Sequence, residues 1–191
     1  MGDAILDRFS VLTIPGWNGS GAEHWQTLWE RDCPNFQRIG QHDWIRPSRE
    51  DWLDRMESSV QAANRPALLV AHSLGCLAVA HLAAEGRARG VAGAFLVAPP
   101  WLSNPDGHPA ELAGFRIKRF EKLPFPSAFI ASENDPHLPI DLGTCMSKAW
   151  GSRFVNAGPQ GHINADSGHG PWPFGMDLLR RLALDIEGVN G

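Results

Sequence analysis

Ser73 lies in the pentapeptide AHSLG at 71–75, where an apolar run ends in a short polar turn and passes at once into a helical pattern. A serine on such a strand-to-helix turn holds its hydroxyl clear of the backbone, as in the G-x-S-x-G nucleophile elbow. The chemistry this suggests is acyl transfer. A serine hydroxyl is a poor nucleophile at neutral pH, so it needs a histidine to take its proton and a carboxylate to fix that histidine's tautomer. Asp135 and His162 follow in the order serine, acid, histidine. Asp135 stands in an Asp-Pro turn just after the apolar run 127–132, where a carboxylate is aimed over a sheet edge. His162 stands on a glycine- and proline-rich loop just after 153–156, and Gly161 permits a sharp bend before it.

Each assignment has a competitor. Ala71 occupies the position where the elbow pattern has glycine, so the pentapeptide alone is a weak signal and its strand–turn–helix context carries the weight. Ser73 could also be a plain N-cap for the helix beginning at Leu74. Asp141 is the spare acid and Glu133 a weaker one, while His169 competes with His162. His162, Asp166 and His169 also have the residue types of a metal site, but a further converging ligand is not evident, so no metal is expected. His24, His42, His72, His81, His108 and His137 are given no role.

Acyl transfer builds negative charge on the carbonyl oxygen, and each backbone amide aimed at that oxygen is worth roughly 3–4 kcal/mol. Leu74, following the nucleophile, supplies one expected amide. The loop PGWNGSGAEHW at 15–25 supplies the other, with Trp17 as first choice and Asn18 in reserve. The same glycines suggest a phosphate cradle, yet no Lys-Ser/Thr follows and the G-x-G-x-x-G spacing is missing.

These residues need a frame to hold them. Apolar runs at 10–15, 66–71, 92–99, 127–132 and, more weakly, 153–156 read as strands buried on both faces, with 36–41 a less certain sixth. Helical patterns alternate with them at 22–31, from a Ser48 cap through Val60, at 74–85, at 140–149 and at 177–186. That alternation predicts a three-layer α/β/α fold around a mostly parallel sheet of about six strands. The irregular stretch 99–126, following a strand's carboxyl end, is the expected pocket wall.

At 191 residues the chain suits a single domain spanning 1–191, with no repeat or dividing linker. Its net charge of −4, without basic blocks, disfavours nucleic acid and anionic membrane as partners. Three widely spaced cysteines, Cys33, Cys76 and Cys145, fit a reducing compartment better than a disulfide framework or zinc site. No secretory leader and no apolar run of about 18 residues is recognisable, so a cytoplasmic location is expected.

Four motifs, PGWNGSGAEHWQ, AHSLG, SENDPHLP and GHINADSGHGPWP, together resemble the α/β-hydrolase family that includes YdeN-like and retinoblastoma-binding-protein-like serine hydrolases. The likeness runs from about Val11 to Ala183. It implies a compact hydrolase fold without a large lid and a triad of Ser73, Asp135 and His162. The retinoblastoma-pocket signature LxCxE is absent, since Leu74-Gly75-Cys76-Leu77-Ala78 ends in alanine, so that kind of partner is not carried over. The expected activity is hydrolysis of small carboxylic esters with no cofactor. The alternatives are an amidase or thioesterase using the same triad, or a binding or scaffolding protein on the same fold. Asn18, Trp101, Leu102 and Trp172 are expected to contact substrate, with Phe115 and Phe125 as further apolar wall candidates.

Overall fold

A computed structural model describes residues 4–102 and 108–188. Six strands form one sheet: β1 (Ser10–Ile14), β2 (Phe36–Arg38), β3 (Ala67–His72), β4 (Val91–Val97), β5 (Ser127–Ala131) and β6 (Arg153–Asn156). Their spatial order is β2-β1-β3-β4-β5-β6, and every neighbouring pair is parallel. The sheet is therefore wholly parallel. The run at 36–41 yields only the three-residue edge strand β2, where one flank has no partner to extend the ladder.

The helices are α1 (Trp25–Asp32), α2 (Arg49–Ala62), α3 (Leu74–Ala84), α4 (Ile140–Trp150) and α5 (Pro173–Ile186). Alternation of side chains along β3 explains the layering, because both faces of this strand are apolar and buried. Leu69 and Ala71 face a core shared with α2, α3 and α4. Leu68 and Val70 face the opposite core, shared with α1 and α5. Helix α5 begins a turn earlier than its apolar spacing predicts, because Pro173 sits at the first helical position, where its missing N–H is no loss.

The carboxyl ends of β1, β3, β5 and β6 all open to one edge, and the loops leaving them carry the residues of interest. The described parts of 99–126 reach this edge and contain a short 3-10 segment, Ala110–Phe115; residues 103–107 lie outside the described residues. Among the described residues no helix is long and apolar enough to cross a membrane.

Candidate active site

The turn between β3 and α3 puts Ser73 at φ 52° and ψ −123°, a left-handed backbone that a side chain rarely adopts. Two glycines make this turn possible. A Cβ on Gly75 would come within 2.4 Å of the Ile14 carbonyl oxygen, so α3 can start this close to β1 only without a side chain there. A Cβ on Gly16 would fall 2.8 Å from Ser73 Cβ and 3.3 Å from Ser73 Oγ, which shows how tightly the loop after β1 covers the serine. Ala71, the departure from the elbow pattern, is fully buried in the sheet and keeps its methyl.

The loop after β6 brings His162 to the serine. Its Nε2 accepts a hydrogen bond from Ser73 Oγ at 2.9 Å. Its Nδ1–H donates to Asp135, 2.9 Å from Oδ1 and 3.0 Å from Oδ2. The Asp135 side chain is only 1% exposed, and Oδ1 also accepts the His137 amide at 2.9 Å, as expected for an Asx turn after β5. A carboxylate held this way is acceptor-only toward His162, which leaves Nε2 as the lone-pair nitrogen facing Ser73.

The competing residues lie apart from the Ser73–His162–Asp135 path. Glu133 is exposed and accepts the Asn156 side-chain amide, while Asp141 is exposed on the first turn of α4. His169 donates from Nε2 to the Gln160 carbonyl and packs edge-on against Trp172. Among the described residues no group of three His, Cys, Asp or Glu is placed to hold a metal ion.

The Asn18 amide donates to the Trp44 carbonyl at 2.9 Å and so is not available to a ligand. The amides of Trp17 and Leu74 have no hydrogen-bond partner among the described residues, and both residues line the cavity above Ser73. Positive φ at Asn18 (66°) and Gly19 (76°) turns the loop, and the Trp17 indole is tied to the Ile45 carbonyl. Gln26, wholly buried, braces the loop from below: it donates to the Ile14 and Val70 carbonyls and accepts from Ser20 Oγ.

The cavity has a volume of about 500 Å³, within the range for small-molecule sites. Leu102 and Asn18 line it, and Pro100, His108, Pro109 and Leu112 place described parts of the stretch 99–126 along one wall. Trp101 and Trp172 are corrections. Trp101 turns away to stack on Phe120 at 5.9 Å, and Trp172 is buried between α1 and the sheet, stacked on Trp29 at 5.9 Å. Phe115 and Phe125 are likewise core residues beside α2 and α3. A large aromatic gains more from close packing in a core than from lining a wet cavity, and sequence type alone does not reveal its direction.

Sequence reasoning also missed a histidine cluster. His24, His72 and His137 lie around His162, with ring centroids 4.8 Å apart for His24–His72, 5.0 Å for His72–His162 and 4.6 Å for His137–His162. Burial, then the Arg38 charge, pulls the His24 pKa down to about 4, and burial holds His72 well below the ordinary histidine range. His137 and His72 carried a detectable signal, since they stand two residues after Asp135 and directly before Ser73; His24 reaches the site as the N-cap of α1, so only the fold joins it to them.

The profile of the family described as serine hydrolase matches residues 11–181. The crystal structure of a protein named as a YdeN-like hydrolase from Pectobacterium atrosepticum is 32% identical, superposes with a TM-score of 0.84, and the match covers 96% of this chain and 95% of that one. YdeN of Bacillus subtilis, described as a hydrolase, is 24% identical over 179 residues, covering 88% of this chain and 93% of YdeN. The crystal structure of that gene product superposes with a TM-score of 0.68 over 91% of this chain and 98% of its own.

Proposed function

Because this chain belongs to the serine hydrolase family, we propose that it hydrolyses small carboxylic esters through an acyl-enzyme formed on Ser73. The observation that carries this reading is the continuous hydrogen-bond path from Ser73 Oγ through His162 to Asp135.

Ser73 Oγ attacks the ester carbonyl carbon while His162 Nε2 takes its proton. Asp135 keeps the ring in the reactive tautomer and stabilises the imidazolium. The carbonyl oxygen, now negative, accepts the Leu74 and Trp17 amides. Collapse breaks the bond to the alcohol, which leaves with the proton from His162. Water then enters, gives a proton to His162, and attacks the acyl carbon; the proton returns to Ser73 as the acid departs.

The cavity lining favours an uncharged substrate. Among its described residues there is no lysine or arginine, and Asp166 is the only carboxylate. An anionic acyl or leaving group would find no formal countercharge there.

Turnover of p-nitrophenyl acetate tests the reading. The wild-type protein should hydrolyse it, and Ser73→Ala and His162→Ala should each lower kcat by roughly 10³-fold or more while remaining folded. Full activity in either folded variant would refute the assignment. An inactive wild type with intact folding would favour a binding protein on the hydrolase fold.

A further inference from the structure

His72 ends β3 directly before Ser73, is 5% exposed, and lies against His162 without belonging to the path that joins His162 to Ser73 and Asp135. Its Nε2 is 2.9 Å from the main-chain carbonyl oxygen of His162. A carbonyl can only accept, so Nε2 carries the hydrogen and His72 is the donor. The strand residue beside the serine thus reaches across to the backbone of the base.

A second ring does the same one residue further on. Trp25, at the start of α1 and wholly buried, donates from Nε1 to the Ile163 carbonyl at 2.9 Å. The two rings meet edge to face, with centroids 6.0 Å apart at 88°. On the other side of His162, its amide donates to Ser167 Oγ at 3.1 Å. The segment needs such restraint, because Gly161 (φ 59°) and Ile163 (φ 49°) both lie in the left-handed region, and a β-branched residue is strained there.

We infer that His72 is a positioning residue: its Nε2–H, supported by the Trp25 indole on the next carbonyl, clips the His162 loop to the elbow so that the two reacting side chains keep one geometry. Building serine and clip into consecutive residues means that movement of β3 carries His162 with it. A charged His72 would sit buried beside His24 and His162, and burial keeps it neutral, as a lasting single donor requires. This role rests on the proposed hydrolysis only in its kinetic consequence; the clip itself is a property of the loop.

The experiment compares His72→Phe, which keeps an aromatic ring but has no donor, with His72→Gln, whose amide nitrogen extends about as far as Nε2. On p-nitrophenyl acetate, His72→Phe should lose about 10- to 100-fold in kcat with KM unchanged, the pattern for misplacement of a reacting group. His72→Gln should return kcat close to wild type. Amide hydrogen exchange over residues 160–168 should quicken in His72→Phe and return toward wild-type protection in His72→Gln. If His72→Phe does not fold, His72→Asn takes its place, because its shorter amide falls short of the carbonyl. A folded donor-less variant with wild-type kcat and unchanged exchange overturns the inference, as does failure of glutamine to restore either. If the wild type does not turn over the ester, the proposed function fails, and the exchange comparison alone decides whether the clip exists.

Discussion

Asp135 touches neither Ser73 nor the cavity, yet its contact with Nδ1 of His162 decides which ring nitrogen faces the serine. Its Oδ1 takes the His137 amide as well as the His162 ring, so its orientation is set before any substrate arrives. Asp135→Asn preserves an oxygen for the His137 amide but brings an N–H toward a ring nitrogen that already donates. The ring must then turn or change tautomer, and kcat on p-nitrophenyl acetate should fall roughly 10³- to 10⁴-fold with the melting temperature little altered. Glu133→Gln, at a carboxylate paired with Asn156 on the surface, should leave kcat unchanged. Loss of activity in the second variant with retention in the first would reverse the choice of acid. At this scale the sequence was informative, because Ser73, Asp135 and His162 each follow an apolar run and stand among turn-forming residues. It was silent on the partners of His24 and His72, which come from segments far away in the chain.

The β3–turn–α3 unit has different tolerances at its two small positions. Gly75 meets main-chain oxygens of Ile14 and Pro15 that cannot step aside, so Gly75→Ala should destabilise the protein by about 1–3 kcal/mol in urea unfolding. Ala71 lies within a fully buried strand, where its methyl is accommodated and lowers chain flexibility. Ala71→Gly restores the general elbow pattern but should lower stability by about 1 kcal/mol, with kcat retained. A gain in stability from that glycine would contradict this account of the turn. Elements buried on both faces were legible as continuous apolar runs, which is why β1, β3, β4 and β5 fall where expected. Their ends were less so. His72 completes β3 although it is polar, because its side chain finds a carbonyl partner in another loop. Trp101 and Trp172 were read as cavity residues because their types suit one, but packing against Phe120 and Trp29 directs them elsewhere.

Across the whole molecule, burying neutral histidines links folding to pH. His24, 5% exposed, has its pKa pulled from 6.5 to about 4, so between those values only the unfolded chain takes up the proton. Its contribution is complete above pH 6.5 and is lost as pH falls toward 4; by pH 5 the loss is about 2 kcal/mol. His72, also held low by burial, acts in the same direction. Urea midpoints should therefore decline from pH 7 to pH 5. His24→Asn, which keeps an acceptor for the Gln26 amide at the start of α1, should flatten that decline. An unchanged slope in the variant would contradict the burial argument. The central claim is that one serine, out of the twelve in the chain, is made reactive by its place in the fold. Intact-mass and peptide mapping after exposure to a fluorophosphonate tests it most directly. A single adduct on Ser73, absent from His162→Ala, is the predicted result; an unlabelled protein, or an adduct on another residue while Ser73 stays unmodified, would contradict it.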